Sequence, residues 1–171
     1  MHPLAKYSIN DFDKHNCLKL SFIFYFILVF LLRGYVVGIL SLSNLRDKLS
    51  LIQWVYSDSS LFYLSLATGI PGLLLLIVVF SRKPNASNWV EKLWCNFLVL
   101  STIAVCIDLS FYWGQRVLFG MGKLDWLIAQ TVVGIGLLIL AKKSKRVKIN
   151  LAEFPQEIDD TPRRTRPDQA K

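Results

Sequence analysis

Residues 20–42 read LSFIFYFILVFLLRGYVVGILSL and carry a single charge, Arg33. Ahead of Arg33 the run shows no polar face at the 3.6-residue period that a helix on a water-soluble core requires. About 20 apolar residues, at ~1.5 Å per residue, cross the ~30 Å hydrocarbon layer of a bilayer. Inside that layer a backbone satisfies its hydrogen bonds only as a helix or a closed barrel. The run therefore makes this chain a helical membrane protein. A signal peptide is the rival reading, since Lys14 and Lys19 precede the run and Ser41-Leu42-Ser43 closes it. The apolar region is longer than the ~7–15 residues of a signal core, contains Arg33 and follows a long polar segment, so it is read as a span.

Working outward, three more windows of similar character lie at about 61–80, 93–113 and 124–141. Polar or turn-rich segments separate them, including Lys83-Pro84-Asn85. The whole chain has 171 residues, 53% apolar and 19% charged, with a mean hydropathy of +0.41. That leaves no room for a separate soluble catalytic domain. The expected fold is an all-α integral membrane protein, a bundle of four transmembrane helices over 20–141. A cytoplasmic segment 1–19 precedes it and a basic, disordered cytoplasmic tail 142–171 follows.

Orientation follows from the placement of lysine and arginine, which are retained on the cytoplasmic side. The amino-terminal segment, the second loop and the tail together hold 15 of them, against 4 in the first and third loops. Both termini are expected in the cytoplasm. Amphipathic rings agree, with Trp89 and Trp94 read as the inner interface and Trp54, Tyr112, Trp113 and Trp126 as the outer one. In the first outer loop Leu45, Leu49, Ile52 and Tyr56 recur at intervals of three or four, as in a surface helix. Asn88 with Glu91 resembles a capping pair that starts the third helix ahead of the membrane.

Ionisable residues inside spans are costly and are functional candidates by default. Arg33 lies 13 residues beyond Leu20 and Asp108 lies 15 beyond Leu93, so both stand ~20–23 Å along helices that run the same way. Ser65, Thr68, Gln130 and Thr131 fall at a similar height on the two helices that return. An intramembrane polar layer of Arg33, Asp108, Ser65, Thr68, Gln130 and Thr131 is thus expected. Pairing of Arg33 with Asp108 to hold the helices in register is the leading reading, and a transport or proton-relay layer is the alternative.

Gly34 and Gly38 form a GxxxG on the first helix, and Gly69 and Gly72 pair with Ser65 and Thr68 as small-xxx-small motifs on the second; all four are helix-packing candidates. Pro71 should kink the second helix, because it cannot donate a backbone hydrogen bond.

The basic start of the tail, from Lys142 to Lys148, serves as an orientation signal and is a candidate for anionic lipid headgroups. Nucleic-acid binding is not expected, since a folded reader with stacking aromatics is missing. Cys17, Cys95 and Cys106 fall in no metal or disulfide pattern, and His2 and His15 have no second ligand at helical spacing, so no metal or cofactor is expected. Catalytic motifs are missing as well, and the chain is not expected to be an enzyme. The Asn85-Ala86-Ser87 sequon, read as cytoplasmic, has no consequence.

At its amino-terminal end the sequence is similar to a bacterial family of small inner-membrane proteins known as domain of unknown function 2919. The likeness rests on YSINDFDKHNCLKL over residues 7–20, followed by the apolar run into Phe30-Leu31-Leu32-Arg33-Gly34-Tyr35, and covers roughly 7–141. Where the family carries proline after its leucine-lysine pair, this chain has Leu20 and Ser21. The resemblance implies a four-helix, multi-pass protein of the bacterial inner membrane. It implies no activity and no site residues. The expected role is a non-enzymatic accessory or structural membrane component. A small transporter or channel component built on the polar layer is the alternative.

Overall fold

A computed structural model describes residues 11, 17–43, 50–56, 58–84 and 86–155. Three helical stretches among them are long and apolar enough to cross a membrane: α4 (Ser59–Thr68) with α5 (Ile70–Phe80), then α7 (Phe97–Phe119), then α8 (Leu124–Lys143). The first apolar run gives a fourth only if counted as one span. It is broken at Leu32 into α1 (Phe22–Leu31) and α2 (Arg33–Ser43), whose axes differ by 73°. A continuous first helix was expected, and this is a correction. The break releases the Phe30 carbonyl from the helical ladder, and the Arg33 guanidinium donates to it at 2.9 Å through Nη1. A basic side chain thus satisfies an acceptor that lipid would leave bare.

The second helical stretch, where a kink at Pro71 was expected, runs as one candidate span from Ser59 to Phe80. Regular helix lapses for one residue at Gly69, and Pro71 sits in the first turn of α5, where its missing N–H costs little. The third span is preceded by α6 (Asn88–Cys95), with a one-residue break at Asn96. Ser87, and not Asn88, holds the cap position of α6, so the expected Asn88–Glu91 capping pair is not formed. In the first loop α3 (Ser50–Val55) is a short helix, while 44–49, where the expected pattern begins, lie outside the described residues.

Two apolar clusters fill the bundle. At the end where α1 begins, Phe24 stacks on Trp94 at 5.3 Å between ring centroids and meets Phe97 edge-on at 5.0 Å. At the other end Tyr56, Leu61, Tyr112 and Leu127 form a smaller cluster. In lipid, helices gain little from hiding apolar surface, so such interlocking of shapes supplies much of the cohesion. Trp94 is therefore an interior residue and not the interface anchor expected, and Tyr112 is interior with Ser101, Ala104 and Asp108 on one face of α7, whereas Trp54 and Trp89 are exposed.

A second correction concerns the tail. Residues 145–152 were expected to be disordered, yet they form α9 (Lys145–Ala152), started by the Ser144 hydroxyl, which accepts from the Val147 amide. Val147 and Asn150, three apart, share the face that meets the bundle and are fully buried, while Lys145 and Lys148 point away. Asn150 Nδ2 donates to the carbonyl of Leu18 at 2.8 Å, its Oδ1 accepts from the Ser21 amide at 3.2 Å, and its backbone carbonyl accepts from Trp94 Nε1 at 3.0 Å. Polar residues that read as solvated are the ones that tie the segment down. The remainder of the tail, 156–171, lies outside the described residues.

Candidate functional site

The break at Leu32 and the packing of α7 bring Arg33 and Asp108 together. Arg33 Nη2 lies 2.8 Å from Asp108 Oδ2 and 3.1 Å from Oδ1. Asp108 is only 1% exposed and the arginine side chain 15%, so neither charge is left to the lipid. The remaining valences are taken inside the protein. Thr68 Oγ1 donates to Asp108 Oδ1 at 2.7 Å. With the Gln130 amide turned so that its oxygen faces the two donors, it accepts from Arg33 Nε at 3.3 Å and from Trp126 Nε1 at 3.0 Å. The guanidinium also lies 5.0 Å from the ring centroids of both Phe30 and Tyr112, a distance at which a cation is attracted to an aromatic face.

The layer extends through hydroxyls. Ser65 Oγ and the Tyr56 hydroxyl are 2.8 Å apart, and the Tyr112 hydroxyl donates to the Leu61 carbonyl at 3.2 Å. Tyr56 lies ahead of α4, outside the spans, and burial pushes its phenol above the ordinary tyrosine value, so it stays a neutral hydrogen-bonding group. Five of the six residues expected in the layer are thus gathered: Arg33, Asp108, Ser65, Thr68 and Gln130. Thr131 is not. Its hydroxyl donates to the Leu127 carbonyl at 2.8 Å and accepts from Trp113 Nε1 at 3.2 Å, on another face of α8. Neighbours in a helix point ~100° apart, so Gln130 and Thr131 cannot both face the layer. Tyr56 and Trp126 were missed, because Tyr56 read as part of a surface helix in the first loop and Trp126 as an interface anchor.

Four glycines let the chain close around this layer, with unequal tightness. A side chain at Gly34 would collide with the Ser65 hydroxyl and come within 2.9 Å of Ser65 Cβ. One at Gly72 would meet Leu31 Cβ at 2.9 Å, and one at Gly69 would meet Tyr35 Cε2 at 2.8 Å. Gly38 is the loosest, with Phe62 at 3.4 Å, ordinary van der Waals contact. Gly134, unnoticed in the sequence, meets Phe30 at 3.0 Å. Chemically, the arrangement is a neutralised ion pair in a shell of donors and acceptors. Among the described residues no group of three or more His, Cys, Asp or Glu could hold a metal ion.

Comparison with known proteins agrees with this architecture. The chain is similar to inner membrane protein YfeZ of Escherichia coli (strain K12), 24% identical over 129 residues that cover 75% of this chain and 76% of that protein. No solved structure matches. With several candidate spans and such a relative, the chain is a multi-pass inner membrane protein. A family model matches residues 7–153, running beyond the last long helix to include α9, and the chain belongs to that family, described as a protein of unknown function (DUF2919).

Proposed function

We propose that this protein is a non-enzymatic accessory or structural component of the inner membrane, spanning it four times with both termini in the cytoplasm. The observation that carries the role is the closure of the polar layer. Arg33 donates to Phe30, Asp108 and Gln130, and Asp108 accepts in addition from Thr68, so both charges are met by the protein itself. A relay or ion path needs a group that exchanges its partner for water or cargo; a structural pin needs its partners fixed. The four-span topology draws on the apolar run 20–42 and on the 15 to 4 distribution of lysine and arginine.

Aqueous access to the layer is the test. In a chain with Cys17, Cys95 and Cys106 replaced by serine, single cysteines at Thr68 and Ser101, both buried, are challenged with a water-soluble maleimide in intact membranes. The expected result is protection at both until detergent denaturation. Rapid labelling at Thr68 in the native membrane would mean a hydrated layer, and the transporter or channel reading would replace this one.

A further inference from the structure

A groove of about 570 Å³ lies at the end of the bundle where α1 begins, between α1, the end of α5 and α9. Toward the middle of the bundle its wall is apolar, with Phe22 and Tyr25 three apart on one face of α1 and Val79 in the last turn of α5. Both aromatic rings are exposed. Just past the ends of those helices the wall becomes cationic. Lys19 stands three residues ahead of α1, Arg82 two residues after α5, and Arg146 in the first turn of α9. Apolar wall along the helices and basic wall at their ends is the order of a phospholipid, with acyl chains inside and phosphate at the interface.

The two arginines are held in place. Arg82 lies 4.8 Å from the Trp94 ring centroid, and its Nη2 donates to the Glu153 carbonyl at 2.9 Å. Arg146 Nε donates to the Lys19 carbonyl at 3.4 Å, and its Nη2 lies 3.5 Å from Asp11 Oδ1. These contacts fix where both guanidinium groups stand. A guanidinium carries five N–H groups in a rigid fork, so one anchored along one edge can meet an oxyanion with another at little further cost in entropy.

Charge decides the class of headgroup. Among the described residues the wall holds these three cations and one acid, Asp11, which Arg146 engages. Residues 12–16 add one acid, Asp13, and one base, Lys14, so the sequence around the groove stays positive in sum. The Glu153 carboxylate accepts from the Leu18 amide and is not part of the wall. An anionic headgroup gains from this excess, whereas the ammonium of a zwitterionic one meets three cations and a single carboxylate. We propose that the groove binds one anionic phospholipid, its phosphate on Lys19, Arg82 and Arg146 and an acyl chain along Phe22, Tyr25 and Val79. The site differs from a diffuse attraction of lipid to the tail, because Lys19 and Arg82 belong to other segments and the exposed Lys145 and Lys148 lie outside it. It goes beyond the structural role of the ion pair and does not rest on it.

Native mass spectrometry of the purified full chain in a neutral detergent counts bound lipids and gives a dissociation constant for the first. Dioleoylphosphatidylglycerol should bind about tenfold more tightly than dioleoylphosphatidylcholine. Lys19→Gln with Arg82→Gln should weaken the first phosphatidylglycerol about ten- to thirtyfold, the weight of two cations at a membrane surface. Lys145→Gln with Lys148→Gln removes the same charge from the outer side of α9 and should weaken it less than about threefold, since screening blunts charges outside the groove. Because Arg82 also braces Trp94, Phe22→Ala with Tyr25→Ala tests the acyl wall at two exposed positions without touching a charge, and should weaken the lipid about three- to tenfold. Glycerol 1-phosphate, the same headgroup chemistry without chains, should fail to compete even in large excess. Equal affinity for the two lipids, equal losses from the two charge-removing pairs, or no loss from the aromatic pair would each overturn the site. Competition by glycerol 1-phosphate would overturn the lipid as occupant in favour of a soluble phosphate ester.

Discussion

The side-chain amide of Asn150 donates to the backbone carbonyl of Leu18 at 2.8 Å, joining α9 to the segment just ahead of α1. The same amide accepts from Ser21, so one buried residue meets backbone groups of two residues. Asn150→Ala should lower stability by about 2–3 kcal/mol, since buried donors and acceptors left unmade cost far more than a surface bond. Detergent melting of the purified protein measures it. An unchanged melting temperature would return this segment to the disordered tail.

Glycine substitutions should separate contact from open lipid on the same kind of helix. Gly34→Ala drives a methyl into Ser65 and disturbs its bond to Tyr56, with an expected cost of about 1–3 kcal/mol for overpacking. Gly114→Ala and Gly136→Ala meet nothing within 4 Å and should be neutral or slightly stabilising, as alanine is the better helix former. The comparison is read from steady-state abundance and melting, and equal losses at all three positions would contradict the packing described.

Orientation can be read with reporter fusions. Alkaline phosphatase, active only outside the cytoplasm, should be active when joined at Ser57 or Met121 and inactive at Asn85 or Gln156. Strong activity at Gln156 would mean an odd number of crossings, with α1 and α2 forming a re-entrant hairpin instead of a span.

The long apolar runs and the level positions of Arg33 and Asp108 were legible because hydropathy and helical rise depend on local sequence alone. The break at Leu32 was not, since Phe30-Leu31 precede it and Arg33-Gly34-Tyr35-Val36 follow, and nothing in that local order separates a broken helix from a continuous one. Its cause is the arginine, which reaches back to the Phe30 carbonyl while pairing across to Asp108. Asn150 escaped notice for a different reason. The partners of its side-chain amide lie 129 to 132 positions earlier, a separation at which composition carries no information about contact.

The last prediction follows from the unequal chemistry of the two charges in the layer. A carboxyl group can be buried as its neutral acid, whereas a guanidinium keeps its charge and must be given acceptors. Asp108→Ala would leave Arg33 with Phe30 and Gln130 as acceptors but no counter-charge, and would release Thr68 as well. Removing one partner of a buried pair costs about 3–5 kcal/mol in soluble proteins, and a helix end near the interface can reduce that in lipid. Arg33→Met leaves only a carboxyl that can take up a proton, so it should be the milder single change. Arg33→Met combined with Asp108→Leu replaces the pair by packing side chains and should recover most of what Asp108→Ala loses. Melting and abundance of the parent, Arg33→Met, Asp108→Leu and their double variant close the thermodynamic cycle, with Asp108→Ala measured beside them. Additive losses, or an Arg33→Met variant worse than Asp108→Ala, would mean that the pair is not what holds α2 against α7.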